Sequence, residues 1–253
     1  MIKVVVLGAG NLGYHLTQKM LNSTTIKLIQ VYNRNIHKIE YLKDKVEITN
    51  NLNHLKQADI YILCVSDNAI QEISSHLNSP TKLVLHTSGA TSIDNLKSNS
   101  EKGVIYFPQT FSIDKNVNFN NIPICIEASA DKSLTLLKKF ASEFSNNIYL
   151  INSEQRKVVH LAAVFVNNFV NHLYYNAEQI CNEKNVPFEI LHPIILETVQ
   201  KIDKISPFKA QTGPAKRQDT KTINTHKAML TSTQLDIYTL LTKSIQETYV
   251  KKL

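Results

Sequence analysis

The chain has 253 residues and a formal net charge of +7; hydrophobic residues make up 43% of it and charged residues 19%. This length allows one large core or two modest domains, and the composition is typical of a globular protein rather than a disordered or fibrous one. The positive excess is spread as single lysines with no interleaved aromatic residues. We therefore interpret it as a solvated surface and expect no nucleic-acid partner.

The first half of the chain alternates short apolar runs with amphipathic segments. Strands are predicted over residues 2–7, 26–32, 46–48, 60–65, 82–86, 104–107, 123–127 and 147–151. Helical segments are predicted between them, over residues 11–21, 36–42, 52–57, 69–77 and 134–144. Because strands that alternate with helices are typical of a parallel, doubly wound sheet, we expect an α/β fold with a Rossmann NADP-binding domain over residues 1–151.

The second half loses this alternation and is predicted to be all-helical. Residues 154–181 contain no Gly or Pro and predict one long helix, which we expect to be largely buried because residues 158–170 are nearly all apolar. Further helices are predicted over 187–205, 221–230 and 233–249. We assign residues 152–253 to a helical substrate and dimerisation domain. Its helices are too few and too apolar to bury every face, so we expect a homodimer through the C-terminal helices.

Targeting segments, membrane spans and metal sites are not expected. The apolar run after Met1 ends at Gly8, which is too short for a signal peptide, and no apolar stretch reaches the ~20 residues that span a bilayer. Cys64, Cys125 and Cys181 form no CxxC pair and no cluster with His at zinc spacing. These features predict a cytoplasmic protein with no membrane partner and no metal site.

A glycine-rich turn follows the first predicted strand. Residues 8–13, GAGNLG, match GxGxxG and open a helical pattern, which is the context that a dinucleotide site requires. The first glycine permits a tight turn, the second lets the backbone approach the pyrophosphate, and the third allows the helix to pack closely on the strand. The cofactor-binding residues predicted here are Gly8, Gly10, Asn11, Leu12 and Gly13. The alternative is a glycine-rich turn that binds no ligand.

The end of the second predicted strand favours NADP(H) over NAD(H). An NAD site usually places Asp or Glu here to bind the ribose 2′-hydroxyl, whereas this chain has Asn33 and Arg34. Arg34 can pair with a 2′-phosphate, and Asn33 can hydrogen-bond the ribose or the phosphate. We therefore predict NADP as the cofactor. The alternative for Arg34 is a solvated loop residue.

Two later strands are predicted to end at the same edge of the sheet, where ligands of open α/β sheets bind. At the end of the fourth strand, Val65 and Ser66 are predicted to wall the cofactor cleft, and the following Asp67-Asn68 favour helix capping over ligand contact. At the end of the fifth strand, His86 and Ser88 are predicted to face the nicotinamide. A hydroxyl and nearby N–H groups suit a carbonyl or carboxylate oxygen. The alternative for Ser88 is a capped turn.

The long predicted helix carries polar residues within its apolar segment. In a regular α-helix His160, Asn167 and Asn171 share one stripe, because they lie seven and then four residues apart. We predict His160 as the acid/base, since imidazole titrates near neutral pH, with Asn167 orienting the substrate or the ring. His86 is the second candidate for that role. Buried polar groups need partners, so the stripe can equally serve a polar network between helices or subunits.

Several motifs taken together resemble a known family. They are GAGNLG at 8–13, Asn33-Arg34, His86-Thr87-Ser88-Gly89-Ala90, Gln109-Thr110-Phe111, Arg156 with His160-Leu161-Ala162-Ala163 and Asn167-Asn168-Phe169, and Thr212-Gly213-Pro214-Ala215 with Arg217 and Asp219. Over nearly its whole length the chain resembles Rossmann-like proteins with a C-terminal helical domain of unknown function. That group is related to pyrroline-5-carboxylate reductases, deazaflavin-dependent NADP oxidoreductases and 6-phosphogluconate dehydrogenase-like proteins. The resemblance implies a Rossmann domain and a dimerising helical domain, but no substrate.

The chain departs from the pattern of this family in two places. Tyr106-Phe107-Pro108-Gln109 stands where His/Tyr-Pro-Leu-Gln is usual, so the resemblance assigns no role to residue 106. Gln218 replaces the usual glycine between Arg217 and Asp219, which changes the local turn geometry.

Two functions are compatible with these features. The first is an NADP(H)-dependent reductase or dehydrogenase for a small carbonyl, imine or hydroxy-acid substrate, in which one side chain transfers a proton. The second is a non-catalytic NADP(H)-binding or sensor protein of the same fold, in which the polar stripe is structural. The sequence does not separate them, because both need the glycine-rich turn.

Overall fold

The computed structural model describes residues 1–77 and 82–250, so the last three residues of the predicted C-terminal domain, 251–253, lie outside the described residues. The chain divides into two compact units, Met1–Phe165 and Val166–Leu253. This division falls later than the predicted limits of 1–151 and 152–253, because the helix after the last strand is grouped with the first unit. The assignment of roles to the two predicted domains remains a prediction.

One sheet forms the centre of the first unit. Within the described residues its strands are Ile2–Leu7 (β1), Ile26–Tyr32 (β2), Glu47–Thr49 (β3), Ile60–Leu63 (β4), Leu83–His86 (β5), Glu101–Tyr106 (β6), Ile124–Ala128 (β7) and Ile148–Leu150 (β8). Their order across the sheet is β3-β2-β1-β4-β5-β6-β7-β8. The helices of this unit are Asn11–Leu21 (α1), Asp67–Ser75 (α2), Asp131–Ala141 (α3) and Ser153–Ala163 (α4). The predicted Rossmann fold class, followed by a helical region, is confirmed.

The sheet is parallel except at one pair of strands. β6 and β7 run antiparallel, with Gly103 opposite Ala128 and Tyr106 opposite Cys125. β7 and β8 are again parallel to each other. The expectation of a parallel sheet is therefore corrected at this pair, because an apolar run predicts a strand but not its direction.

Both faces of the sheet are covered, as parallel strands require. The side chains of β1 alternate between two hydrophobic clusters: Val4 and Val6 belong to one, with Leu16 of α1, and Val5 and Leu7 belong to the other, with residues of α2. These four side chains of β1 are fully buried. Each contributes roughly 1.5–3 kcal/mol by leaving water. β1 is thus covered on both faces, and its C-terminal end leads directly into the glycine-rich turn.

Two short predicted helices of the first unit are 3-10 helices rather than α-helices. They are Ile36–Leu42 and Leu52–His54. Asn35 and Asn51 precede them, and each side chain accepts a hydrogen bond from the N–H two residues later. Such local contacts compete with α-helical capping and favour tighter turns. Two further 3-10 turns, Ile93–Asn95 and Phe119–Asn121, follow the same pattern from Ser92 and Asn118.

The second unit, described by itself, is helical. Its helices are Val170–Glu183 (α5), His192–Ile202 (α6), Pro207–Ala210 (α7), Pro214–Arg217 (α8), Thr220–Lys227 (α9) and Ser232–Val250 (α10), with a 3-10 turn at Phe188–Leu191. α6, α7 and α8 each carry Pro in their first turn, where its missing N–H costs nothing. None of the helices in the described part of the chain is both long enough and apolar enough to cross a membrane.

The predicted long helix over 154–181 is interrupted. α4 ends at Ala163, residues Val164–Phe169 form a π-helical turn, and α5 follows. A π-helical turn replaces the i→i+4 repeat by i→i+5, so the regular α-helix that the predicted stripe of His160 and Asn167 assumes is not formed. Periodicity that assumes 3.6 residues per turn does not detect such an insertion.

The expected burial of this segment is wrong for the isolated chain. Val158 is 67% exposed and Val166 is 74% exposed. An apolar composition predicts that a surface will be covered, but it does not say whether the covering residues belong to the same chain.

Candidate cofactor and catalytic site

The three glycines of the turn between β1 and α1 have distinct geometries. Gly8 has φ +109°, and a Cβ there would lie 2.2 Å from the Cys64 carbonyl oxygen. A Cβ on Gly13 would lie 2.4 Å from the Gly8 oxygen, so α1 packs directly on the turn. At Gly10, the N-cap of α1, a Cβ would meet no heavy atom of the described residues within 4 Å. Open space beside a helix N-terminus is what a bound phosphate needs.

A cavity of about 310 Å³ opens at this turn, between the ends of β1, β2 and β4 and one face of α2. Its lining residues are Gly8, Ala9, Gly10, Tyr32, Asn33, Arg34, Leu52, Cys64, Val65, Ser66, Ala69, Glu72 and Ile73. The cavity thus brings together six of the nine predicted cofactor residues. The other three are residues of α1 beside it: Gly13 is buried, Leu12 packs against the core, and Asn11 donates to the Phe111 carbonyl at 2.7 Å.

Sequence reasoning missed Glu72 on the wall of this cavity. Ala69, Glu72 and Ile73 are three and four residues apart on α2, so helical spacing could have placed them on one face. Glu72 is the one carboxylate in the described lining, and it faces the same space as Arg34. The cavity wall therefore carries one charge of each sign.

The polar groups of the cavity fit a phosphate-bearing ligand. Arg34 is exposed and forms no ion pair with residues 1–77 or 82–250. Asn33 donates its amide to the Asn35 carbonyl at 2.7 Å, which fixes its side chain. Ser66, rather than Asp67 or Asn68, is the N-cap of α2, and its side chain makes no capping hydrogen bond. Two helix N-termini, those of α1 and α2, therefore meet at the cavity with their positive dipole ends.

His86 and Ser88 lie together at the end of β5, but the Nδ1 atom of His86 and the hydroxyl of Ser88 are used inside the turn. His86 is fully buried, and its Nδ1 accepts from the Ser88 N–H at 3.2 Å. Burial first, and the nearby Arg156 charge second, lower the pKa of His86 to about 3, so its ring is neutral at physiological pH. Ser88 Oγ accepts from the N–H groups of Ala90 and Thr91 at 3.2 and 3.0 Å. This is the capped turn that the sequence left open as an alternative for Ser88.

His160 of α4 contacts Tyr106 at the end of β6. Tyr106 Oη lies 3.3 Å from His160 Nδ1, and the two rings meet edge to face with centroids 6.0 Å apart. Gly89, directly after Ser88, packs against both: a Cβ there would lie 2.7 Å from His160 Nδ1 and 2.8 Å from Tyr106 Cε2. His160 therefore reaches the carboxyl edge of β5 and β6. Asn167, on the π-helical turn of the second unit, is exposed.

A buried ion pair fixes the start of α4. Arg156, 1% exposed, pairs through Nη1 with Glu127 of β7 and donates through Nη2 to the Thr91 carbonyl at 2.6 Å. Ser153 donates its backbone N–H and its hydroxyl to the same carboxylate, at 3.0 and 2.8 Å. These contacts join α4 to β7 and to the loop after β5. They determine where His160, one helical turn after Arg156, comes to lie.

Two domain models match the chain. Residues 3–89 match the model described as NADP oxidoreductase coenzyme F420-dependent, and residues 122–245 match a domain of unknown function, DUF2520. A search of curated proteins gives no match.

Solved structures give whole-length matches. A "putative NADP oxidoreductase" from Bacteroides fragilis is 36% identical, with a TM-score of 0.88 over 97% of this chain and 98% of that one. A reductive aminase from Aspergillus terreus, solved with NADPH and ethyl-5-oxohexanoate, is 15% identical, with a TM-score of 0.71 over 98% and 95% of the two chains. An imine reductase from Myxococcus stipitatus, solved with NADP+, is 13% identical, with a TM-score of 0.69 over 97% and 93%.

The last two structures, at such low identity, show the fold alone, whereas the Bacteroides match also shows the family. The resemblance drawn from the sequence motifs is confirmed, and the prediction of NADP as the cofactor is confirmed at the level of the family. The chain belongs to the NADP oxidoreductases in which a Rossmann domain is followed by a DUF2520 domain.

Proposed function

We propose that this chain is an NADP(H)-dependent oxidoreductase that acts on a small carbonyl, imine or hydroxy-acid substrate. The observation that carries the proposal is that the glycine-rich cavity and His160 lie at the carboxyl edge of the same sheet. Ligands of open α/β sheets bind at that edge. The reductive aminase and the imine reductase of similar fold, both solved with NADP(H), support this substrate class.

The residues of the cavity have separate proposed roles toward the cofactor. Gly10 and the helix N-termini hold the pyrophosphate, Arg34 pairs with the 2′-phosphate, and Asn33 contacts the ribose. Val65 and Ser66 wall the same space. Bound NADPH supplies a hydride to the substrate carbon.

We assign proton transfer to His160. Its half-buried ring can deliver a proton to a carbonyl oxygen or an imine nitrogen, or accept one in the reverse direction. His86 is the weaker candidate, because burial holds it neutral and away from solvent. We propose that His86 and Ser88 shape the turn against which His160 packs, and that Asn167 orients the substrate.

The test is a substrate panel with a matched pair of variants. The protein is incubated with NADPH and, in turn, with keto acids, aldehydes and cyclic imines. The absorbance of the reduced nicotinamide is followed. For a substrate that is turned over, His160→Gln lowers kcat by about 10²–10⁴, the typical contribution of an acid/base. It leaves NADPH affinity unchanged. His226→Gln, which alters an exposed histidine of the second unit, keeps the kcat of the wild type.

One result decides against this function, and another decides against the role of His160. Tight NADPH binding with no turnover across the panel favours the non-catalytic sensor. Turnover that His160→Gln leaves unchanged retains the oxidoreductase but removes His160 from the chemistry.

We also propose that the C-terminal helices of residues 152–253 form a homodimer. Large apolar side chains are exposed on the single chain, among them Val158, Val166 and Leu240 at 67%, 74% and 68%. Exposed apolar surface of this extent is typical of interfaces. A second copy covers such surface in the commonest oligomers, which are symmetric dimers. A cytoplasmic location also remains a prediction.

A further inference from the structure

We propose that Tyr106 is a positioning residue for His160, holding Nδ1 of the imidazole so that Nε2 is aimed at the substrate. This inference rests on the proposed role of His160 as the acid/base. It gives a function to the one residue of the site that the family resemblance left without a role.

The two side chains differ in how firmly they are enclosed. Tyr106 is 8% exposed and packs in a small buried cluster with Val104 and Cys125. Val159, the neighbour of His160 on α4, packs against this same cluster. The imidazole is only half-buried. His160 is therefore the member of the pair that an incoming ligand can reach, and Tyr106 is the fixed support behind it.

The hydroxyl of Tyr106 can serve His160 in both of its protonation states. Burial above all raises the pKa of Tyr106, so the phenol keeps its proton at neutral pH and donates it to Nδ1. A neutral ring then carries its own proton on Nε2. In the imidazolium, Nδ1–H donates in the opposite direction, because a hydroxyl oxygen also accepts. Tyr106 thus holds the same ring orientation before and after proton transfer.

The proton step balances with this arrangement. Starting from the imidazolium, the Nε2–H bond breaks and an O–H or N–H bond forms on the substrate; NADPH, when bound in the cavity, would supply the hydride that the substrate carbon gains. The imidazole is left neutral as its Nδ1–H tautomer, and this N–H still donates to Tyr106 Oη; the Nε2–H tautomer is the neutral ring of the free enzyme. A proton from solvent then restores Nε2–H.

Gly89 packs against both side chains of the Tyr106–His160 pair. A Cβ at this position would lie within 3 Å of both rings, so the backbone of the turn packs directly against them. The imidazole therefore has a hydroxyl on Nδ1 and a backbone wall beside it. Both contacts restrict rotation of the ring and leave Nε2 as the available nitrogen.

A double-mutant cycle tests the proposal with Tyr106→Phe, His160→Gln and the pair together. If Tyr106 acts through His160, Tyr106→Phe lowers kcat about tenfold with little change in KM, as expected for one lost hydrogen bond. The double variant is then no slower than His160→Gln alone, because residues that act as a unit are not additive. Tyr61→Phe is the matched control: Tyr61 is 7% exposed, and its hydroxyl donates to the Lys56 carbonyl at 2.8 Å. It keeps the kcat of the wild type.

Two kinetic results overturn the proposal. If the losses of the two single variants multiply in the double variant, Tyr106 does not act through His160. If Tyr106→Phe is slower than His160→Gln, Tyr106 is itself the proton donor.

A second readout needs no substrate. In protein with ¹⁵N-labelled histidine and without cofactor, the resonances of His160 are identified by their loss in His160→Gln. At an alkaline pH that deprotonates the ring, we expect the remaining proton on Nε2 and a hydrogen-bonded Nδ1, and a shift of the Nδ1 resonance in Tyr106→Phe but not in Tyr61→Phe. An unchanged Nδ1 resonance in Tyr106→Phe overturns the positioning role. A shifted resonance in a protein that turns over nothing supports the contact and counts against the proposed function instead.

Discussion

At the scale of single residues, Arg34 is the group that we expect to distinguish the two nicotinamide cofactors. It lies on the rim of the cavity at the end of β2, exposed and without an ion-pair partner among the described residues. A charged hydrogen bond to a 2′-phosphate is worth about 1.5 kcal/mol at such an exposed site, which is roughly tenfold in affinity. We predict that NADPH binds more tightly than NADH, that Arg34→Ala removes this preference, and that rising salt reduces it. Titration of both cofactors by calorimetry measures the ratio.

Glu72 provides the matched control for Arg34. It lines the same cavity with the opposite charge, so Glu72→Gln retains or increases the preference for NADPH. Equal affinities in the wild type, or an unchanged ratio in Arg34→Ala, would contradict the assignment of Arg34 and leave the Rossmann fold intact.

The sequence placed several site residues correctly and could not place others, for physical reasons. The ends of β2 and β4 were predictable, because the glycine-rich turn fixes the topology around them. His86 was also placed at the correct strand end. It is fully buried, and Arg156, whose charge helps to lower its pKa, comes from a distant part of the chain. The sequence around Tyr106 does not indicate its contact with His160, because the two residues lie 54 positions apart.

At the scale of elements, the buried ion pair between Arg156 and Glu127 is expected to dominate the attachment of α4. Arg156→Met leaves the carboxylate without its cation, and breaking a buried pair costs about 3–5 kcal/mol. For a chain of this length we expect a fall in Tm on the order of 10 °C, measured by thermal unfolding.

Lys157→Ala is the control for this effect. Lys157 pairs with Glu154 on the same helix, but both side chains are largely in solvent, so the pair contributes about 0.5 kcal/mol or less. A similar fall in Tm for the two variants would show that the pair formed by Arg156 is no stronger than a surface pair.

The elements themselves were predictable where one period of the sequence dominates. The bounds of β1, α1 and β2 coincide with the predicted ones, because each is a short run with a clear apolar face and a turn at both ends. The direction of β7 and the π-helical turn were not predictable from periodicity. The direction of β7 depends on the edge of the sheet at which the chain re-enters it. The π-helical turn adds a single residue to a helical repeat.

At the scale of the whole molecule, we predict a particle of twice the 28.7 kDa mass of one chain. The apolar side chains exposed along the predicted long helix need cover, and a second copy provides it. Light scattering coupled to gel filtration, at micromolar concentration, measures the mass. Val166→Glu places a charge on that surface and shifts the protein toward the monomer.

Ile113→Glu is the corresponding control in the first unit. Ile113 is also an exposed apolar residue, at 49%, but it lies outside the C-terminal helices, so this variant stays dimeric. A monomeric wild type, or equal dissociation of both variants, would contradict a dimer through those helices.

The reversal of β7 determines which part of α4 can reach the site. Glu127 lies opposite Val104, two residues before Tyr106 on β6, and Arg156 lies four residues before His160 on α4. Two residues of a strand advance about 6.6 Å, and four residues of a helix advance about 6 Å. The strand and the helix therefore cover nearly the same distance between the ion pair of Arg156 and the contact of His160 with Tyr106. The interval from Arg156 to His160 is thereby held at one helical turn, because an added residue would rotate the imidazole by about 100° away from the hydroxyl.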